Sequence, residues 1–422
     1  MKTLIISLGI FIAIGLTIAL YLNSQVPAQP DQENPKPAST HSKNSFEEIS
    51  LAPPSIKPSI SKKVSGMTIE ERITQLLYVG IEGTSLSTSE KQMISEGRVG
   101  GVIFLGRNIT SSPQFKKLVE EVKNANSKNP TPLFLGVDEE GGTVSRIPNP
   151  MKKLPSSYRI GEENDADLAF TAGKLLAQKV KAFGLNMNFA PVMDINNNPG
   201  NQVIGKRSFG DTPERVSRMG IPEMKGIKSE GIVPVLKHFP GHGDTSVDSH
   251  INLPVIKKSL SQINQFELIP FKEAINEGAD AVMMAHILFP ELDDQYPATF
   301  SKTIIQNVLR KQSKFDGLVI TDDMAMGAIS KNFGTNEATI RSIQAGSDMV
   351  LMTDTRNGNF NEVKNALLQA VKKGTISTEQ INDSVARILR VKQDYHLSKL
   401  PQSDLNVKDF NEKVEEIHQQ LN

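Results

Sequence analysis

The sequence predicts a (β/α)8 TIM barrel, an α/β fold in which eight parallel strands close on themselves inside a ring of helices. Eight short apolar runs alternate with amphipathic helical stretches over roughly 330 residues, a length that suits such a barrel. The runs are apolar on both faces, as strands of a parallel sheet covered by helices must be. Polar residues stand directly after five of the runs, where barrel strands carry active sites. A doubly wound sheet is the alternative, because periodicity alone does not prove closure.

The helices between the predicted strands have recognisable ends. Starts are indicated by Ser112-Pro113, by Thr212-Pro213-Glu214 and by Ser301, since Ser and Thr cap helices and Pro suits the first turn. Gly184 and Gly231 indicate helix ends just before strands. We expect the strands at residues 76–81, 101–105, 133–137, 187–193, 233–236, 281–285, 318–320 and 349–352.

The composition along the chain predicts four segments. Residues 1–22 are a signal peptide or membrane anchor, because Lys2 precedes an apolar run long enough to span a bilayer. Residues 23–65, rich in Pro, Ser, Gln, Asn and Lys, are expected to be a disordered linker. Residues 66–398 form a single barrel domain, and residues 399–422 a polar C-terminal tail.

The overall composition excludes several classes of protein. The 47 basic and 47 acidic residues give a net charge of zero, which argues against a nucleic-acid partner. The absence of Cys excludes disulfides, thiolate metal sites, a cysteine nucleophile and a lipid-modified N-terminal cysteine. We expect a monomer.

The stretch KHFPGHGDTSVDSH, from Lys237 to His250, is the most informative part of the chain. Its three histidines, two aspartates and one lysine surround a Pro and two Gly, so we predict a loop rather than a helix or strand. Because all barrel strands point one way, this loop and the other strand-tip residues should converge on one rim. Unpaired polar groups there are costly unless they meet a ligand, which indicates an active site. The other strand-tip residues are Asp138, Asp194, His286 and Asp322.

Four motifs resemble those of the β-N-acetylglucosaminidases of glycoside hydrolase family 3. In chain order they are GVDEEGGTVSR at 136–146, VIGKRSFG at 203–210, the 237–250 stretch and ITDDMAMG at 320–327. The resemblance extends over residues 68–395, and its most specific element is the loop ending Asp248-Ser249-His250. It implies an enzyme that removes terminal β-linked N-acetylglucosamine from cell-wall-derived or chitin-type oligosaccharides or muropeptides, with no cofactor and no metal ion.

The resemblance also implies roles for individual residues. Asp322 is expected to be the nucleophile that forms a covalent glycosyl-enzyme in a retaining mechanism, with its neighbour Asp323 as the competitor. His250 is expected to be the acid/base, with Asp248 orienting its imidazole, since histidine gives and takes protons near neutral pH. His286 is expected to line the pocket, and His242 and Asp244 to hold the loop. Sugar binding is expected of Asp138, Arg146, Arg207, Lys237 and His238.

Three alternatives remain at the level of the sequence. Within the same fold, the chain could be another β-glycosidase or an N-acetylglucosaminide phosphorylase, because a histidine acid/base does not repel an incoming phosphate. A metal-dependent hydrolase would use His238, His242, Asp244 and His250 as ligands. A non-catalytic barrel that binds cell-wall glycans is the third.

The N-terminal run predicts an extracytoplasmic protein, anchored in the membrane through residues 4–22 or secreted after cleavage near Val26-Pro27-Ala28. Cell fractionation tests this prediction, and the chain should appear in the membrane or outside the cell. Protein in the soluble cytoplasm with residues 1–22 still attached would contradict it.

Overall fold

A closed parallel sheet forms the centre of the protein. The computed structural model describes residues 57–399 and 405–421. The strands are β1 (Leu77–Gly80), β2 (Gly101–Phe104), β3 (Phe134–Val137), β4 (Glu139–Gly141), β5 (Val144–Ser145), β6 (Met187–Asn188), β7 (Val233–Phe239), β8 (Ala281–Met284), β9 (Leu318–Thr321) and β10 (Val350–Met352). Eight of them pair in the order β10-β1-β2-β3-β6-β7-β8-β9, and β4 pairs with β5 in a separate antiparallel hairpin.

The two end strands of this sheet meet, which closes the barrel. A parallel bridge joins Ile320 to Met349, and Thr321 N donates to Met349 O at 3.0 Å. The buried carboxylate of Asp348 strengthens this seam, because it accepts from Val319 N at 2.9 Å and from Arg310 Nη2 at 2.6 Å. The predicted (β/α)8 barrel is confirmed.

Helices surround the barrel and cover its apolar strands. They are α1 (Pro58–Ser65), α2 (Ile69–Gln75), α3 (Thr88–Ser95), α4 (Ser112–Ala125), α5 (Ser157–Glu163), α6 (Ala166–Ala182), α7 (Pro213–Ser229), α8 (Leu260–Gln265), α9 (Ile269–Asn276), α10 (Gly327–Ser330), α11 (Thr335–Ala345), α12 (Asn359–Lys372), α13 (Thr378–Asp394) and α14 (Val407–Gln420). A π-helix spans Thr303–Gln312, and short 3-10 turns lie at Gly106–Asn108, Gly205–Arg207, Ala298–Phe300, Arg356–Gly358 and Leu397–Lys399.

Side-chain caps begin several of the helices. Thr68 and Glu71 form a reciprocal capping box at α2, with the Glu71 carboxylate 2.8 Å from Thr68 N. Thr212 caps α7, and Pro213 occupies its first turn. Gly184 and Gly231 follow α6 and α7 with φ of 74° and 75°, the left-handed conformation that ends a helix.

Large side chains fill the barrel and require a small residue opposite them. The rings of Tyr78, on β1, and Phe189, just after β6, pack with centroids 5.6 Å apart. A Cβ at Gly136, on β3, would lie 2.2 Å from the Tyr78 hydroxyl and 2.8 Å from the Phe189 ring. Because β2 separates β1 from β3, these side chains can meet only inside the barrel. Gly136 therefore leaves the space that the two rings occupy.

Two terminal segments are more ordered than their composition suggests. The sequence predicts residues 58–65 as part of the disordered linker 23–65, but they form α1, which buries Ile60 and Val64 in the core. That part of the prediction is wrong, because two apolar residues four positions apart give the helix one face to bury. The polar tail 399–422 contains α14, whose buried residues Phe410, Val414 and Ile417 join the same core.

Across residues 57–399 and 405–421, no helix combines the length and apolar character needed to cross a membrane. The predicted signal peptide or anchor at residues 1–22 lies outside the described residues, as does the linker as far as residue 56.

The 237–250 stretch is only partly a loop. Strand β7 runs to Phe239, so Lys237 and His238 belong to the sheet, where Met193 N donates to Lys237 O at 2.7 Å. The register against β8 shifts between Leu236 and Phe239. The prediction that no strand tolerates this composition was wrong. The backbone of Lys237 and His238 belongs to the strand, while their polar side chains line a cavity.

Candidate active site

The rim at the carboxyl ends of the strands holds a cavity of about 300 Å³. Asp138 follows β3, Lys237 and His238 end β7, and Asp322 follows β9. His250 comes from the long segment between β7 and α8. The charged and histidine side chains lining the cavity are Asp138, Glu140, Arg146, Arg207, Lys237, His238, His242, His250, Asp322 and Asp323. The structure thus brings together every predicted site residue except Asp248, which contacts His250, and His286.

One carboxylate organises the cationic side of this cavity. Glu140, on β4, accepts two hydrogen bonds from Arg207, from Nε and from Nη2, each 2.8 Å long. Its Oε1 also lies 2.6 Å from Lys237 Nζ. Burial alone would raise the pKa of Glu140, but the charges of Arg207 and Lys237 hold it well below its usual range. Glu140 is therefore ionised, and it fixes both cations in place.

Lys237 connects this cluster to Asp138. Its ammonium donates to Asp138 Oδ1 at 2.7 Å. Burial by itself would lower the pKa of Lys237, but Asp138 and Glu140 raise it, so the ammonium stays charged. Asp138 is more exposed than Lys237, which leaves part of its carboxylate free to meet a ligand.

Arg146 is positioned through its backbone and keeps a side-chain donor unused. The buried carboxylate of Glu139 accepts from Arg146 N at 2.8 Å and is neutralised by Lys179 Nζ, also at 2.8 Å. Arg146 Nε is buried and has no hydrogen-bond partner among the described residues. A buried donor of this kind is costly unless something binds to it. Arg146 is thus suited to contact a ligand in the cavity.

His238 is oriented by Asp194, a strand-tip residue to which the sequence assigned no role. Asp194 is fully buried, its Oδ2 lies 2.7 Å from His238 Nδ1, and its Oδ1 accepts from His242 N at 2.7 Å. Burial would raise the pKa of Asp194, but the His238 imidazole holds it below its usual value. Because an ionised carboxylate only accepts, His238 donates from Nδ1 and leaves Nε2 for the cavity.

His242 and Asp244 hold the loop that follows β7, as expected. The two ring nitrogens of His242 lie 3.0 Å from Thr245 Oγ1 and 3.0 Å from Ser249 Oγ. Burial, together with the nearby charge of His238, lowers the pKa of His242 to about 4, so the ring is neutral near pH 7. Asp244 forms an ion pair of 2.7 Å with Lys258.

His250 and Asp248 are hydrogen-bonded to each other at the open side of the cavity. Asp248 Oδ1 accepts from both N and Nδ1 of His250, each at 2.8 Å. Burial would raise the pKa of Asp248, but these two bonds hold it below its usual value. The His250 side chain is 63% exposed. Its Nε2 is therefore the nitrogen left to exchange a proton with substrate or water.

Asp322 and Asp323 are neighbours with different surroundings. The Asp323 carboxylate accepts from Ala325 N at 3.1 Å, from Thr353 N at 3.0 Å and from Thr353 Oγ1. Among the described residues, the Asp322 carboxylate accepts only from Asp323 N, at 2.8 Å. Burial would raise the pKa of Asp322, but the His286 imidazole beside it holds it below its usual value. Asp322 is thus ionised and keeps acceptor positions for a reaction.

His286 does not line the cavity, contrary to the prediction. It is fully buried, with Nδ1 2.7 Å from Thr299 Oγ1 and Nε2 3.0 Å from Asp323 O. A carbonyl oxygen only accepts, so Nε2 donates and supports the backbone next to Asp322. The prediction failed because a position at a strand end does not determine which way a side chain points.

The four residues of the alternative metal site bind separate partners. His238 pairs with Asp194, His242 with Thr245 and Ser249, Asp244 with Lys258, and His250 with Asp248. In the described parts of the chain, no group of three or more His, Cys, Asp or Glu residues is arranged to hold a metal ion.

Glu140 and Asp194 are the two functional residues that sequence reasoning left without a role. Glu140 stands inside the motif GVDEEGGTVSR, and Asp194 stands at a strand end. Both positions were visible in the sequence. Their pairings with Arg207 and His238 were not visible, because each pairing joins residues more than 40 positions apart.

The arrangement suits cleavage of a glycosidic bond. An ionised carboxylate, a histidine held by an aspartate, and an edge of Asp, Arg and Lys side chains that can grip vicinal hydroxyls line one cavity. The fold and the site together define a barrel glycoside hydrolase.

Known proteins resemble this chain in sequence and in structure. The profile of the Glycosyl hydrolase family 3 N terminal domain matches residues 68–391. β-Hexosaminidase A of Pseudoalteromonas piscicida is 34% identical over 347 residues, which span 77% of this chain and only 57% of that protein. The structure of a glycoside hydrolase family 3 β-N-acetylglucosaminidase from Paenibacillus sp. str. FPU-7 superposes with a TM-score of 0.79 at 39% identity, over 83% of this chain and 68% of that one.

A third similar protein is NagZ from Neisseria gonorrhoeae, solved in complex with N-trifluoroacetyl-D-glucosamine. It superposes with a TM-score of 0.68 at 29% identity, over 81% of this chain and 97% of that one. The chain belongs to glycosyl hydrolase family 3, as its match to the family profile over 68–391 shows.

Glu223, on α7, is a buried carboxyl that should make the free energy of unfolding depend on pH. Its Oε2 has no hydrogen-bond partner among the described residues, and burial together with the charge of Glu140 raises its pKa to about 8. Between about pH 4.5, the ordinary value, and about pH 8 the folded protein keeps a proton that the unfolded chain loses. The free energy of unfolding should therefore fall as pH rises through this range.

Glu223→Gln should remove that dependence, because the amide does not ionise. Its thermal unfolding midpoint should exceed that of the unmodified chain at pH 8, and the difference should shrink at pH 5. Glu412→Gln, at a carboxyl that is 60% exposed, is the control and should show no such trend. Parallel pH profiles for Glu223→Gln and the unmodified chain would contradict the prediction.

Proposed function

We propose that the chain is a retaining exo-β-N-acetylglucosaminidase acting on cell-wall-derived or chitin-type oligosaccharides. The observation that carries the proposal is that the His250–Asp248 pair and the ionised Asp322 serve one cavity. Similarity to the Paenibacillus β-N-acetylglucosaminidase and to a NagZ that holds N-trifluoroacetyl-D-glucosamine supports the choice of sugar.

In the first step, a carboxylate oxygen of Asp322 attacks the anomeric carbon and forms an ester bond to it. The glycosidic bond breaks as His250 Nε2 gives its proton to the departing oxygen, so the leaving group departs as an alcohol. In the second step, His250 Nε2 takes a proton from water, the oxygen of that water bonds to the anomeric carbon, and the ester to Asp322 breaks. Asp248 accepts from Nδ1 throughout and stabilises the imidazolium.

The buried ion-paired cluster supports release from a chain end. Glu140, Arg207 and Lys237 are joined by short bonds, and Lys237 and Glu140 are almost completely buried. This cluster forms a wall where the sugar's hydroxyl edge would lie, so the chain cannot continue past it. This arrangement supports binding of a terminal unit rather than an internal one.

The choice of substrate is tested with two aryl glycosides. The purified chain should hydrolyse an aryl β-N-acetylglucosaminide far faster than the matching aryl β-glucoside, and it should release single N-acetylglucosamine units from oligosaccharides. Equal rates on the two glycosides, or mainly internal cleavage of long chains, would count against the proposal.

Asp322→Ala should lower kcat on the order of 10³-fold or more on every substrate, because neither half of the double displacement proceeds without the nucleophile. Asp323→Ala should be less damaging, since that carboxylate is bonded to Thr353 and Ala325. Initial rates of the two variants decide the assignment, which is wrong if Asp323→Ala is inactive and Asp322→Ala is active.

His250→Ala should lose on the order of 10²–10⁴-fold in kcat/KM on glycosides with poor leaving groups, because their departure requires a proton. Its loss on activated aryl glycosides should be smaller. Asp248→Asn should show the same pattern to a lesser degree, since it weakens the bond to Nδ1. Equal losses on both kinds of substrate would remove His250 from the acid role.

A further inference from the structure

The order of strands determines on which side of the barrel a leaving group must lie. In a closed ring with the order β10-β1-β2-β3-β6-β7-β8-β9, β3 lies opposite β9, β6 opposite β10 and β7 opposite β1. Asp138 follows β3, Arg207 follows β6 and Lys237 lies on β7, so the groups that grip the sugar occupy one half of the rim. Asp322, after β9, stands in the other half.

The shape of a β-linked pyranose then determines the direction in which the leaving group extends from the cavity. In a pyranose ring C1 lies across from C4, so a sugar whose hydroxyl edge faces Asp138 and Lys237 directs its anomeric bond toward the half with Asp322. The leaving group therefore extends over the loops that follow β9, β10, β1 and β2. This step rests on the proposed function, because it assumes a glycoside bound for attack by Asp322.

His250, the proposed acid/base, is held in the same half of the rim as Asp322. The loop that begins after β7 crosses the rim, where Gly327 N donates to His250 O at 3.1 Å and Ala328 N donates to Ser249 O at 3.0 Å. A Cβ at Gly327 would lie 2.5 Å from His250 O and 2.6 Å from Ile251 O, so the close approach requires glycine. Residues of the β9 loop thus position the group that must protonate the departing oxygen.

A trough lies where this geometry requires one. This trough is a second cavity, of about 510 Å³, lined by the loops after β9, β10, β1 and β2. It shares Thr353 with the active-site cavity. Its size is within the roughly 300–1,000 Å³ typical of small-ligand sites. Its polar lining includes Glu82, Arg107, Ser330, Thr335, Asp354 and Arg356. A third cavity, of about 820 Å³, continues beyond Glu82 and Arg356.

The lining of the trough suits an uncharged sugar. Arg107 is held in place by Nη2 donating to Thr353 O at 3.1 Å and Nε donating to Ile81 O at 3.3 Å. Arg356 makes two bonds to Asp354, of 2.9 and 3.2 Å, and Glu82 lies near both guanidinium groups. The two positive charges are thus balanced by two negative ones. Such a surface offers many donors and acceptors without attracting an anion strongly.

We propose that this trough binds the reducing-side sugars of a neutral N-acetylglucosamine oligosaccharide, with Arg107 and Arg356 as the residues that recognise them. The trough then sets the preference for the leaving group, whereas the cluster around Glu140 sets the preference for the sugar that is released.

Binding to the Asp322→Ala chain tests the trough without turnover. Titration calorimetry gives the Kd of N-acetylglucosamine and of its β-1,4-linked trimer, and we expect the trimer to bind at least about tenfold more tightly. Arg107→Ala in this background should reduce the ratio of the two Kd values to within about threefold of one. Arg215→Ala is the matched control, since the Arg215 side chain is 39% exposed against 38% for Arg107, and it should keep the full ratio.

A second variant separates recognition from folding. Arg107 also bonds to two backbone carbonyls, whereas the Arg356 side chain is 62% exposed and, among the described residues, contacts the carboxylates of Asp354 and Glu82. Arg356→Ala should therefore reduce the same ratio in a fully folded chain. A ratio near one in the Asp322→Ala chain, or an unchanged ratio in both arginine variants, would overturn the trough.

Turnover by the unmodified chain reports the proposed function separately. If the trimer binds more tightly through the two arginines but no aryl β-N-acetylglucosaminide is hydrolysed, the trough is supported and the enzymatic proposal fails. If hydrolysis occurs without any gain in binding with chain length, the enzymatic proposal is supported and the trough is overturned.

Discussion

The bonds between Glu140 and its two cations are the interaction on which the proposed sugar-binding side of the cavity depends. Arg207 and Lys237 come from different parts of the chain. Without the Glu140 carboxylate, Arg207 would lose its ion-pair partner and the buried Lys237 would keep only Asp138. Lys237 in turn holds Asp138, so three of the five predicted sugar-binding residues belong to one network. Because every member is partnered, the network can hold its geometry before a sugar arrives.

The opposite half of the site is built differently. His250 is largely exposed, and it is positioned by Asp248 and by backbone bonds to the start of α10. The neutral ring of His242 stabilises the same loop through hydrogen bonds to Thr245 and Ser249. The half proposed to bind the sugar is therefore buried and charged, whereas the half proposed to transfer protons is open to solvent. An open position suits a group that must meet both a departing alcohol and an entering water.

Particular residues show how far sequence reasoning reaches. The eight apolar runs correspond to the eight barrel strands, and Asp138, Lys237, His238 and Asp322 lie at the rim as predicted. His286 is predicted to line the pocket for the same reason, but its side chain is fully buried and bonded to Thr299 and to the backbone of Asp323. Linear order identifies the strand end, but the direction of each side chain depends on what packs around it. The structure likewise distinguishes Asp322 from Asp323, because Thr353 donates hydrogen bonds to the Asp323 carboxylate.

The sequence by itself determined the number and nature of the barrel strands, the residues at their ends and the family whose motifs they form. These properties are local, because apolar periodicity, caps and turn residues act over a few neighbouring positions. Only the tertiary structure decided which residues pair across the rim, as Glu140 does with Arg207 and Lys237 and Asp194 with His238. It also decided that residues 58–65 belong to the core and that a second polar cavity adjoins the site at Thr353. These features depend on closure of the barrel, which brings distant segments together through packing that no local pattern specifies.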